Sequence, residues 1–293
     1  MTHILKKKNL EIQIDFPLKN YNFSRFDWTG KIVDVKFKNI SFASIEDPQC
    51  QNENYFGKGF YNEFGIDTAL GFEETKIGGW FHKIGVGLLK KEDSNYAFNK
   101  QYEIRPAKFQ TKTSATSVLI KCVSAAINGY SYELHKEIGV QETSFTIKYN
   151  LKNTGDKIIN TNEYVHNFVS INNDLVGENY YLNFPFELKP ELFDETVNSE
   201  MAVAIGSNSI EFKNIPNEQF FFSNLSGGEM VSASWELINL NSKIGIRENA
   251  SFQTNKVNLW GWRHVISPES CIALSIAPGV SKEWTRQYEL FDI

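Results

Sequence analysis

The chain has 293 residues, 41% of them hydrophobic and 22% charged, with a formal net charge of -5 at pH 7. That mildly acidic balance is spread along the sequence and leaves no basic stripe to neutralise a phosphate backbone, which argues against nucleic acid as a partner. No run of roughly 18 apolar residues exists to cross a bilayer, and the opening MTHILKKKNLEIQIDF lacks the apolar core and cleavage site of a signal peptide, so no membrane partner and a cytoplasmic location are expected.

The aromatic content is high, with 23 Phe, 12 Tyr and 6 Trp, residues that fit pleated, half-buried surfaces. Alternation of apolar and polar residues, the strand period, recurs in LEIQIDF (10–16), KIVDVKFKNISF (31–42), SYELHKEIGV (131–140), TSFTIKYNLKN (143–153) and YYLNFPFEL (180–188). Turn signals separate these runs: Asn128-Gly129, Asn153-Thr154-Gly155-Asp156, Ser226-Gly227-Gly228 and Pro278-Gly279. Helical patterns are confined to two short stretches, Glu191 to Val197 and Pro216 to Phe220. No linker composition or repeat divides the chain, so one domain spanning 1–293 is expected, a large antiparallel β-sandwich with few short helices.

Three stretches carry candidate chemistry. Residues 61–91 are dense in glycine and largely unlike strands, so this segment is expected to turn repeatedly and pass close to other backbone or a ligand. It has no phosphate-binding fingerprint, but it offers Lys76, His82 and Lys83 as polar contacts or as ordinary surface residues. In NTNEYVHNFVSIN (160–172), strand parity sets Tyr164, His166 and Phe168 on one face and Val165, Asn167 and Val169 on the other. If the first face lines a concavity, the imidazole is presented to a ligand; if it lines a core, His166 is a satisfied buried histidine. In VNLWGWRHVISPESCIALSIAPGVSKEWTRQYEL (257–290), Trp260 and Trp262 flank a glycine and Glu269 follows a proline. Indole faces stack on sugar C–H faces, though the same rings serve equally as packing.

Cys50, Cys122 and Cys271 are odd in number and far apart, which fits neither a disulfide framework nor a metal-ligand spacing. Paired histidines and a G-x-S-x-G serine are also lacking, so neither a zinc site nor a serine nucleophile is expected. What remains is acid/base work by a histidine and a carboxylate, which needs no cofactor.

Taken in order, YNFSRFDWTGKIVDVKF, NEFGI, GGWFHKIGVGLL, YELHKEI, IKYNLKNTGDKIINTNEYVHNF, ISPE and APGVSKEWTRQYEL resemble the aldose 1-epimerase (galactose mutarotase-like) superfamily over nearly the whole chain. The resemblance implies a supersandwich fold with sugar on the concave face of one sheet, and interconversion of the α and β anomers of an aldose. It matches His166 to the general acid and Glu269 to the general base. An imidazole near pKa 6.5 and a carboxyl raised by burial suit proton transfer near neutrality.

The family's hydroxyl-reading N-R arginine and L-H-G-G histidine have no counterpart here. That leaves Lys76, His82, Lys83 and Arg105, together with Trp260, Trp262 and Arg263, as the substrate-binding candidates. The alternative function is a non-catalytic carbohydrate-binding protein of the same fold. In either case the partner is a small-molecule sugar, and the chain is a monomer or homodimer.

Overall fold

The computed structural model describes residues 2–50, 52 and 54–293. Among these residues regular structure is almost wholly strand, and every ladder is antiparallel. A ten-stranded sheet runs in spatial order Val203–Ile205, Ser209–Phe212, Tyr180–Asn183, Val231–Asn239, Ile244–Thr254, Ser281–Asp292, Ser144–Asn153, Tyr132–Val140, Ser117–Val123 and Lys108–Thr113. Facing it is a second sheet in the order Thr2–Lys7, Leu10–Asp15, Lys31–Phe37, Phe60–Phe64, Ile159–Asn167 and Ile272–Ile276, with Ile40–Ser41 paired to the third of these. A four-stranded sheet (Thr196–Val197, Phe220–Phe222, Val257–Trp262, Val265–Ser270) and a three-stranded one (Trp80–Lys83, Gly87–Lys90, Ile104–Pro106) complete the architecture.

The alternating runs build this arrangement directly. Ile12, Ile14, Ile32, Val35 and Val165 from one large sheet meet Ile120, Ile138, Ile147 and Leu237 from the other, all fully buried in one continuous core. Each such side chain contributes about 1.5–3 kcal/mol of transfer free energy. The outer face of the Phe60–Phe64 and Ile159–Asn167 pair carries a separate aromatic cluster that includes Tyr21, Phe26, Tyr61, Phe81 and Phe168.

Several expectations change at the level of elements. KIVDVKFKNISF is two strands, because Lys38 and Asn39 both take positive φ and turn the chain back as a two-residue hairpin. YYLNFPFEL stops being strand after Asn183, just before Pro185, which cannot donate to a ladder. The helix expected over Glu191 to Val197 is one 3-10 turn, Pro190–Leu192, followed by a two-residue strand, and Pro216 to Phe220 leads irregularly into Phe220–Phe222. The glycine-dense stretch holds more strand than its composition suggests, with Phe60–Phe64 at its start and a hairpin, Trp80–Lys83 with Gly87–Lys90, closed through Gly85 at φ 81°. No helix among the described residues is long and apolar enough to cross a membrane. All three cysteines are free, and Cys122 and Cys271 are buried.

Candidate active site

Strand Ile159–Asn167 pairs with Ile272–Ile276 only as far as Glu163 and then continues against Phe60–Phe64 alone. Its freed edge packs on Val265–Ser270, a strand of a different sheet, and backbone pairing between them is reduced to one bridge, Val169 to Ile266. Side chains span the rest of the joint. Asn167 Nδ2 donates to the Pro268 carbonyl at 2.6 Å, and Arg286 Nη2 donates to the Ser270 carbonyl at 2.9 Å. The carbonyls on both sides of Glu269 are thus held from the sandwich interior.

Parity does the remainder. Val165 and Val169 enter the main core, while Tyr164 and His166 face outward into a cavity of about 590 Å³, whose lining also includes Arg25, Asn258, Trp260 and Glu269. Volumes of this order are typical of small-molecule sites. Glu269 Oε1 lies 3.2 Å from His166 Nε2. The hydroxyl of Ser267 stands 2.7 Å from His166 Nδ1 and donates to Glu269 Oε1 at 3.4 Å, bracing both groups from one side. The imidazole stacks on Phe168, with ring centroids 3.9 Å apart, and meets the edge of Trp260 at 5.2 Å. Beneath Phe168 only a glycine fits, since a Cβ at Gly57 would come within 2.3 Å of its ring.

This surrounding sets the protonation of the pair. Burial holds the His166 imidazole well below its usual value, and the positive charge of Arg25 pushes the same way. Burial pushes the Glu269 carboxyl up to about 8, against the opposing pull of Arg25. At neutral pH the site therefore holds one proton, on the carboxyl, beside a neutral imidazole.

Arg25 is the principal residue the sequence reading missed. Its Nη1 donates to Glu46 at 2.6 Å and its Nε to Glu63 at 3.0 Å, and its guanidinium lies over Phe26 and Phe98 at 4.5 and 4.7 Å. Tyr164 donates to the same Glu63 oxygen at 2.8 Å, and Lys83 binds the other at 3.1 Å. The available signal is an arginine set between aromatics in FSRFDW, where a guanidinium can lie over ring faces.

The other sequence candidates are dispersed. Trp260 lines the cavity with its indole N–H on Gln219. Trp262, two residues along the strand, instead donates to the Asn217 carbonyl outside the lining. Lys83 is buried and acts one step removed, through Glu63, while its neighbour His82 points the opposite way, against Tyr130 and Tyr132, where burial lowers it to about 4. Lys76, Arg105 and Arg263 are exposed and outside the lining, and Arg105 stacks on Trp80 at 3.8 Å. The strand pairing of the glycine-rich hairpin accounts for this, because it directs Trp80 and His82 to one face and Phe81 and Lys83 to the other.

No protein-family model matches the chain, and no curated protein matches it. Solved structures do. The Slr1438 protein from Synechocystis sp. PCC 6803 superposes with a TM-score of 0.61 at 10% identity, covering 100% of this chain and 96% of that one. A galactose mutarotase-like protein from Clostridium acetobutylicum gives 0.60 at 9% identity, covering 99% and 95%. Another galactose mutarotase-like protein, from Lactobacillus casei ATCC 334, gives 0.57 at 11% identity, covering 99% and 100%. At these identities the likeness is one of fold: the chain has the galactose mutarotase-like sandwich.

Proposed function

We propose that this chain is an isomerase that interconverts the α and β anomers of a free aldose, acting as one unit across residues 1–293, with His166 and Glu269 as its acid/base pair. The observation that carries this reading is the contact between His166 and Glu269 on the floor of a sugar-sized cavity. The anomeric hydroxyl and the ring oxygen are bonded to the same carbon. A proton acceptor and a proton donor on one cavity wall, in contact with each other, can therefore serve both oxygens of a single anomeric centre.

The pair holds one proton and has one vacant acceptor, which is the inventory the reaction needs. In the resting form the Glu269 carboxyl gives its proton to one sugar oxygen while the His166 imidazole takes the proton of the hydroxyl, and the bond from the anomeric carbon to the ring oxygen breaks. Rotation about the C1–C2 bond of the open aldehyde and closure on its other face return both protons. Moving the single proton across the 3.2 Å contact gives imidazolium and carboxylate, the form in which His166 is the acid and Glu269 the base. Trp260 offers a ring face for the sugar, and Arg25, Asn258 and Gln219 offer polar groups for its hydroxyls.

The test is proton NMR exchange spectroscopy on equilibrated glucose, galactose and other reducing sugars. An α–β exchange rate that rises in proportion to protein is expected, with a loss of roughly 10²–10⁴-fold in His166→Asn. Saturable sugar binding without faster exchange would make carbohydrate binding the function instead.

A further inference from the structure

We propose that the site has a second sugar subsite and that its substrate is an uncharged reducing disaccharide. This rests on the anomer-interconverting reading. The catalytic cavity does not end at Arg25. A second cavity, of about 440 Å³, adjoins it and shares Arg25, Glu46, Phe56, Phe98 and Asn99 as a common wall. Beyond that wall its own lining is aromatic, with Tyr21, Phe23 and Tyr55, and polar groups come from Ser24, Lys100 and Gln101.

Phe23 and Tyr55 meet edge to face with centroids 4.0 Å apart, and Tyr55 is 45% exposed. Aromatic side chains lining a cavity beside hydrogen-bonding groups suit the two-sided chemistry of a pyranose, apolar on its C–H face and polar around its rim. Charge narrows the class. Arg25 is neutralised by Glu46 and Glu63, and Lys100 is paired with Glu92 and Asp93. Neither cation is free for a phosphate or a uronate.

The reaction narrows it further. Ring opening requires a free anomeric hydroxyl, so nothing can be attached at that carbon of the reacting ring. A second unit must leave through another of its oxygens, as in a reducing disaccharide. The reducing ring then lies over His166 and Glu269, and the other passes Arg25 and Phe98 into the aromatic cavity.

The experiment compares α–β exchange for maltose, cellobiose and lactose with that for glucose and galactose, using the full chain and the Tyr55→Ala variant. Tyr55 lines the second cavity and not the catalytic one, and it is exposed, so the fold should tolerate its removal. For at least one disaccharide, kcat/KM should exceed that of its reducing monosaccharide by tenfold or more, and Tyr55→Ala should erase most of that advantage through KM. Equal values for the two sugars, or an equal loss on both in Tyr55→Ala, would overturn the subsite. If no sugar is accelerated, the anomer reading fails and titration decides the subsite separately. Disaccharide binding tighter than monosaccharide binding, and weakened by Tyr55→Ala, supports it; equal binding refutes it.

Discussion

Burial moves the two members of the pair in opposite directions, His166 down and Glu269 up to about 8, and a pH profile follows. Above about 8 the Glu269 carboxyl ionises beside a neutral imidazole, the site loses its one proton, and anomer exchange should fall. The acid limb, where a second proton enters at His166, should lie well below the 6.5 of an ordinary histidine. A profile whose acid limb sits at 6.5 would contradict the geometry. The same carboxyl bears on stability. Its folded-state value is raised, so its contribution is fully present below the unfolded value of 4.5 and is lost as pH rises through about 8. Each tenfold in proton affinity is worth about 1.4 kcal/mol. Glu269→Gln should therefore abolish exchange yet raise the thermal midpoint relative to wild type, with a gain that grows between pH 4.5 and 8. Calorimetry across that range checks it. At this scale the face of His166 was legible from strand parity, whereas Arg25 was not, because its partners Glu46, Glu63 and Tyr164 lie 21, 38 and 139 residues away.

Among elements, the joint between Ile159–Asn167 and Val265–Ser270 sets where Glu269 stands. Asn167 does not line the catalytic cavity, yet its Nδ2 holds the Pro268 carbonyl and its Oδ1 accepts from the Tyr288 hydroxyl at 2.9 Å. Asn167→Leu should lower kcat by roughly 10–100-fold through misplacement of Glu269, with KM little changed. Because a loss of folded protein would also lower the apparent kcat at constant KM, the rate is normalised to the folded fraction read by denaturant unfolding at the assay temperature, and a deficit that survives this normalisation is the misplacement of Glu269. Most individual strands were legible: Tyr132–Val140 and Ser144–Asn153 fall within one residue of their alternating runs. The joint was not legible, because the Glu269 strand departs from its sequence neighbour Ile272–Ile276 into another sheet without any composition signal.

Across the whole molecule, a buried polar chain threads the space between the two large sheets. Asp27 pairs with Lys136, Lys136 donates to Asn62, and Asn62 donates to Glu163. Arg286 then bridges Glu163 at 2.8 Å and Glu248 at 2.7 Å, with no exposure on any of the three. Burial raises the Glu248 carboxyl against the pull of Arg286. Removing the central cation strands two carboxylates in the interior, so Arg286→Met should cost about 3–5 kcal/mol in denaturant unfolding. Pairing across such distances is what a single sequence hides. Ser281–Asp292 lies between Ser144–Asn153 and Ile244–Thr254, an order that alternation cannot specify.

The joint that Asn167 and Arg286 span has a mechanical consequence. His166 and Glu269 ride on two different sheets, so their separation registers how those sheets sit on one another. The imidazole nitrogens of His166 are thus a strain gauge for the sandwich: a change in packing far from the cavity that tilts one sheet should appear in their 15N shifts before it appears in global stability.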